Sequence, residues 1–165
     1  KKLRGLGLAD ARIFFFYTCG TGDTFLFSST VDYLLKINQR PGINGASQTI
    51  GLLREKAINT AHFLHFKKIL LAPTPFSDDA GFLQGGLPVQ TITMLPDGEA
   101  KAFACMLREH PDFVDMLIGG STGDNNRDLL PETWRCLNSA SDSHLRLTPE
   151  FFDHIVRFAV EICRG

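Results

Sequence analysis

The chain has 165 residues, 44 % of them apolar and 21 % charged. That is enough apolar surface to offset chain entropy, so a disordered chain is excluded and one domain with a sizeable core is expected. The net charge of −1 supplies no basic face for nucleic acid, and no apolar run approaches the roughly 20 residues of a membrane helix.

The start, Lys1-Lys2-Leu3-Arg4, is basic but no apolar stretch follows it, so no signal peptide is expected. Without an initiator Met, the chain is expected to begin inside a longer gene product. Residues 11–17 (ARIFFFY) read as a buried strand, closed by Cys19-Gly20-Thr21-Gly22 as a strand-exit turn. Residues 24–28 suit a second short strand. Ser29 or Thr30 caps a helix carrying Val31, Leu34 and Leu35, ending near Asn38. Residues 39–46 are turn-rich. Ser47 caps a longer helix whose apolar side is Ile50, Leu53, Ala57, Ala61 and Leu64, closed by Lys67-Lys68.

Residues 69–72 are a third strand, followed by a loop to Gly86 with a short helix near Phe82. Residues 88–95 are a fourth strand, and Pro96-Asp97-Gly98 reads as a turn before a helix over 99–109. Residues 119–128 are polar and loop-like. The last helix has the clearest start: Thr148 as N-cap, Pro149 at the first position and Glu150 in the first turn. Its expected buried stripe is Phe152, Ile155, Val156, Ala159 and Ile162. Strands alternating with helices imply an α/β fold, with helices flanking a mainly parallel, mixed sheet.

Four cysteines, at 19, 105, 136 and 163, show no CxxC spacing, which favours buried free thiols over a zinc knuckle. Fourteen Phe against one Trp and two Tyr imply a greasy interior, or a surface that meets other protein. His62 and His65 can share a helix face, but packing or exposure explains them better than a metal. His110 suits the end of a helix, and His154 is expected to face solvent. His144, two residues after Asp142, is the best isolated histidine candidate. No G-x-S-x-G elbow is present, and Gly20-Thr21-Gly22 lacks the lysine and spacing of a phosphate loop. The adjacent acids Asp78 and Asp79, in a loop after a strand, suit cation binding or acid–base work.

Residues 76–93, F-S-D-D-A-G-F-L-Q-G-G-L-P-V-Q-T-I-T, resemble the S-D-H-x-x-F-x-x-x-G-[IL]-P segment of co-catalytic zinc aminopeptidases, the family that includes glutaminyl cyclases. Residues 137–148, L-N-S-A-S-D-S-H-L-R-L-T, are similar to that family's I-H-T-x-x-D segment before its C-terminal helix. Trp134 upstream and the strand at 13–17 with Gly20-x-Gly22-Asp23 fit the same order.

The resemblance implies an α/β sandwich on an eight-stranded mixed sheet, of which this chain would be a C-terminal part. It also implies a two-zinc site that polarises a carbonyl and activates water, or a one-zinc cyclase site. The ligand positions depart from the pattern. The family's strand Asp falls at Tyr17, its I-H-T histidine at Asn138 and its S-D-H histidine at Asp79; no H-x-D and no adjacent Glu pair occur. Tyr and Asn are poor zinc ligands.

Asp78, which matches the family's site-lining acid, is the candidate catalytic residue. Asp79, Phe82, Tyr17, Asn138 and His144 are the candidate lining residues. No metal ligand set is assigned, and zinc is expected only if the family site is retained. The expected function is peptide or protein-partner binding by a domain that has lost its metal and peptidase activity. A zinc aminopeptidase or glutaminyl cyclase with its remaining ligands upstream is the alternative, and an unrelated small α/β interaction domain the third. An incomplete sheet implies a homo-oligomer, or a complement to a missing N-terminal half.

Overall fold

A computed structural model describes residues 11–36, 47–75, 78–119, 128–137, 139, 142–143 and 146–164. Four strands form one mixed sheet: β1 (Ile13–Tyr17), β2 (Thr24–Ser28), β3 (Ile69–Ala72) and β4 (Val89–Leu95), in the order β1-β4-β2-β3. β1 runs parallel to β4 and β2 parallel to β3, while β2 and β4 are antiparallel. Every residue of the central strands β2 and β4 is buried, as expected of strands covered on both faces.

Seven helices accompany them among the described residues: α1 (Thr30–Lys36), α2 (Ser47–Phe63), α3 (Asp79–Gln84), α4 (Asp97–Glu109), α5 (Phe113–Gly119), α6 (Glu132–Cys136) and α7 (Pro149–Arg164). Strand alternation sends Phe14, Phe16, Phe25, Phe27, Ile92 and Met94 to one face, where α2 and α7 cover them with Ala57, Ala61, Ile155, Phe158 and Ile162. On the other face Leu26, Ala72 and Leu95 meet Ala100 and Phe103 of α4, Phe113 and Leu117 of α5, and Trp134 of α6. A third cluster gathers where β1 and β4 begin, around Val89, Val31, Leu34, Leu83 and Ile118. The chain is therefore an α/β fold with helices on both sides of the sheet.

Several local expectations are corrected. Asp97 and Gly98 open α4 rather than form a turn: the Pro96 carbonyl accepts the Ala100 N–H at 2.9 Å, and Asp97 and Glu99 place charge in the first turn. α2 stops at Phe63 because His65 adopts a left-handed conformation, φ 62°. There the Phe66 N–H reaches the Ala61 carbonyl and the His65 N–H reaches that of His62, both at 2.9 Å, the paired bonds of a Schellman closure. His62 and His65 therefore do not share a helix, and both are exposed.

α5 and α6 are helices the sequence pattern did not separate from loop. In α7, Thr148 is the cap, its carbonyl taking the Phe152 N–H at 2.9 Å. The buried residues are Ile155, Phe158 and Ile162, while Phe152 and Val156 are exposed. His154 does not face solvent freely; its ring lies 5.0 Å from Phe66 and 6.1 Å from Phe151.

Candidate functional site

Tyr17 ends β1 and stands beside Thr93 of the parallel strand β4. Carboxyl ends of parallel strands are where open α/β sheets place ligands. Thr18 follows with φ 46°, an outlier for a β-branched residue. Its hydroxyl shares a 2.7 Å hydrogen bond with the Thr93 hydroxyl, which also accepts the Trp134 indole N–H at 3.3 Å. Such strain persists only where surrounding contacts enforce it, and it clusters at functional sites.

The turn beyond is locked from two sides. The Thr148 N–H donates to the Gly20 carbonyl at 3.0 Å, tying the exit of β1 to the start of α7. Gly22 passes directly over the end of β4, where an added Cβ would lie 2.1 Å from the Leu95 carbonyl carbon and the Pro96 nitrogen.

The two adjacent acids have different surroundings. Asp79 is the first residue of α3 and only 4 % exposed. Its carboxylate accepts a 2.6 Å hydrogen bond from the Thr91 hydroxyl, on the same face of β4 as Thr93. Asp78 is exposed; its carbonyl takes the Gly81 N–H at 3.1 Å, and its side chain makes no capping bond to α3. Phe82 is half-buried and packs on the apolar cluster at the opposite end of β1, with Leu83 and Val89. Asn138 and His144 lie outside the described residues.

Tyr17 is half-buried, and burial, followed by the charge of the Asp79 carboxylate, raises its phenol above the ordinary 10.0. The neutral phenol is therefore favoured in the folded state. A group raised on folding adds stability that is complete below its unfolded value and is lost as pH climbs through its folded one. In a Tyr33→Phe background, absorbance titration at 295 nm should place the Tyr17 midpoint above 10.0. Asp79→Asn should bring that midpoint down only part of the way, because burial is the larger cause. A midpoint unmoved by Asp79→Asn would mean the two groups are not neighbours.

The remaining chemistry is quiet. Cys19 bonds weakly to the Tyr17 carbonyl, and burial pushes its thiol up to about 12, which removes it as a nucleophile at neutral pH. Cys105, Cys136 and Cys163 are also free thiols, but against the expected burial Cys105 and Cys163 are exposed and Cys136 is half-buried. A groove of about 450 Å³ lies on the far face, between α2 and α7, lined by Leu52, Lys56, Phe63 and Glu161.

The chain matches no protein-family model, no curated protein and no solved structure.

Zinc is a poor fit to the described residues. Tyr17 stands where a carboxylate ligand is expected, and a phenol is not a usual zinc ligand. Among the described residues, no three His, Cys, Asp or Glu side chains group closely enough to hold a metal ion. No described helix is long and apolar enough to cross a membrane.

Proposed function

We propose that the chain is an aminopeptidase-like domain that binds a peptide or protein partner at the end of β1 without hydrolysing it. One observation carries this reading: the Asp79 carboxylate is buried and hydrogen-bonded to Thr91, on the strand that pairs with Tyr17's own. Tyr17 and Asp79 fall where the resemblance would put metal ligands, and both are engaged in protein contacts instead. The Tyr17 phenol can donate one hydrogen bond and accept others, which suits a peptide backbone. The buried carboxylate sets the electrostatics beneath it.

The test is a panel of short peptides with free amino termini, incubated with the full chain and zinc. Binding without cleavage or cyclisation is expected. Tyr17→Phe, which keeps the ring and removes the hydroxyl, should weaken the tightest binder about tenfold, the cost of one hydrogen bond. Released amino acid or pyroglutamyl product that disappears on chelation would overturn the reading in favour of an active enzyme.

A further inference from the structure

Among the described residues, the flank formed by β1 and α7 leaves apolar surface exposed. β1 is an edge strand among the described residues, and all five of its residues are only half-buried. α7 lies over it and runs the opposite way. Phe152 sits beside Gly20 just past the end of β1, whereas Ile162 and Cys163 share a cavity of about 260 Å³ with Arg12 and Phe14 at its start. α7 also presents Phe152, Val156 and Val160, which are 53, 44 and 46 % exposed. Their four-residue spacing makes one apolar stripe along the helix. An edge with no partner among the described residues, next to an apolar stripe, is costly to leave in water.

We propose that this flank pairs with the same flank of a second copy about a two-fold axis. β1 then runs antiparallel to its counterpart, and the two four-stranded sheets become one. The surface is self-complementary in three respects. An axis through Phe15 sets Ile13 against Tyr17 and Phe14 against Phe16, aromatic and β-branched pairs that stabilise antiparallel strands.

Phe16 stacks edge-on against Phe158 at 6.2 Å, so the same axis passes near the middle of α7 and brings Val156 opposite Val160 of the other copy. Finally, α7 begins acidic, at Glu150 and Asp153, and carries Arg157 and Arg164 further on. Antiparallel self-pairing places each acidic start against a basic end. Glu161, the acid that breaks this order, lines the groove against α2 and lies 3.7 Å from Arg164 of its own helix. An isologous contact closes as a dimer and leaves no further edge at β1.

Sedimentation of the full chain between about 1 and 100 µM tests the contact directly. A reversible monomer–dimer equilibrium is expected. Val156→Glu buries an unpaired charge in the interface and should raise the dissociation constant about 100-fold, with the far-UV spectrum unchanged. Asp153→Arg and Arg164→Asp should each weaken the dimer, and the double variant should recover most of the loss. A monomer at every concentration, an open-ended series of larger species, a dimer indifferent to Val156→Glu, or a double variant no better than either single one would each overturn the proposal.

Discussion

Phe158→Ala is expected to lower the unfolding free energy by about 3–5 kcal/mol, the range for removing a fully buried aromatic ring. Phe158 is 0 % exposed and lies 6.2, 5.1 and 6.2 Å from the rings of Phe16, Phe25 and Phe27. Those rings belong to β1 and β2, so a single side chain joins α7 to an edge strand and a central one. Removing it leaves a cavity lined by rigid rings on a sheet that cannot collapse around it. The shift in urea midpoint at constant slope measures the loss. A loss below about 1 kcal/mol would mean that α7 is not docked on Phe16 and Phe25.

Gly22→Ala should be comparably damaging, by about 3 kcal/mol or more, because the clash is with backbone. The added methyl carbon would stand 2.1 Å from Leu95 and Pro96 main-chain atoms, and no rotamer change relieves that. The link between β1 and β2 would have to lift off the end of β4, pulling on the Thr18–Thr93 hydrogen bond. Gly51→Ala is the matched control. Nothing lies within 4 Å of its Cβ position, and in mid-helix α2 the change should stabilise by about 0.5–1 kcal/mol. Equal effects at the two positions would contradict the close crossing at Gly22.

All four strands were legible in the sequence because each is a short apolar or β-branched run between Gly, Pro or polar breaks. The start of α7 was legible for a similar reason, since Thr148-Pro149-Glu150 specifies a helix start locally. Its inward face was legible only in part: Ile155 and Ile162 are buried as expected, but Phe158 was missed and Phe152 and Val156 are exposed. Phe152, Val156, Phe158 and Val160 are all apolar, so periodicity cannot choose among them. Contact with Phe25 and Phe27 makes the choice, burying Phe158 and leaving Phe152 and Val156 outside. Asp97 misled because Pro-Asp-Gly suits a turn as well as a first helical turn.

At the site, the sequence singled out both acids but not their surroundings. The hydrogen bond from Thr91 to Asp79 spans 12 residues, and that between Thr18 and Thr93 spans 75. The first follows from the packing of α3 against β4 and the second from the β1–β4 pairing, neither of which a local pattern specifies. Thr91 and Thr93 were visible only as polar residues alternating within a strand. Their buried hydroxyls needed partners, and that demand was the available signal.

The most direct test of the proposed function is calorimetric titration of the metal-free full chain with zinc at neutral pH. With a phenol at Tyr17 and no described trio of His, Cys, Asp or Glu side chains, the account predicts no saturable heat in the micromolar range and no zinc retained after dialysis. Stoichiometric uptake of about one or two zinc ions per chain, as a co-catalytic or single-metal site would take, would contradict it.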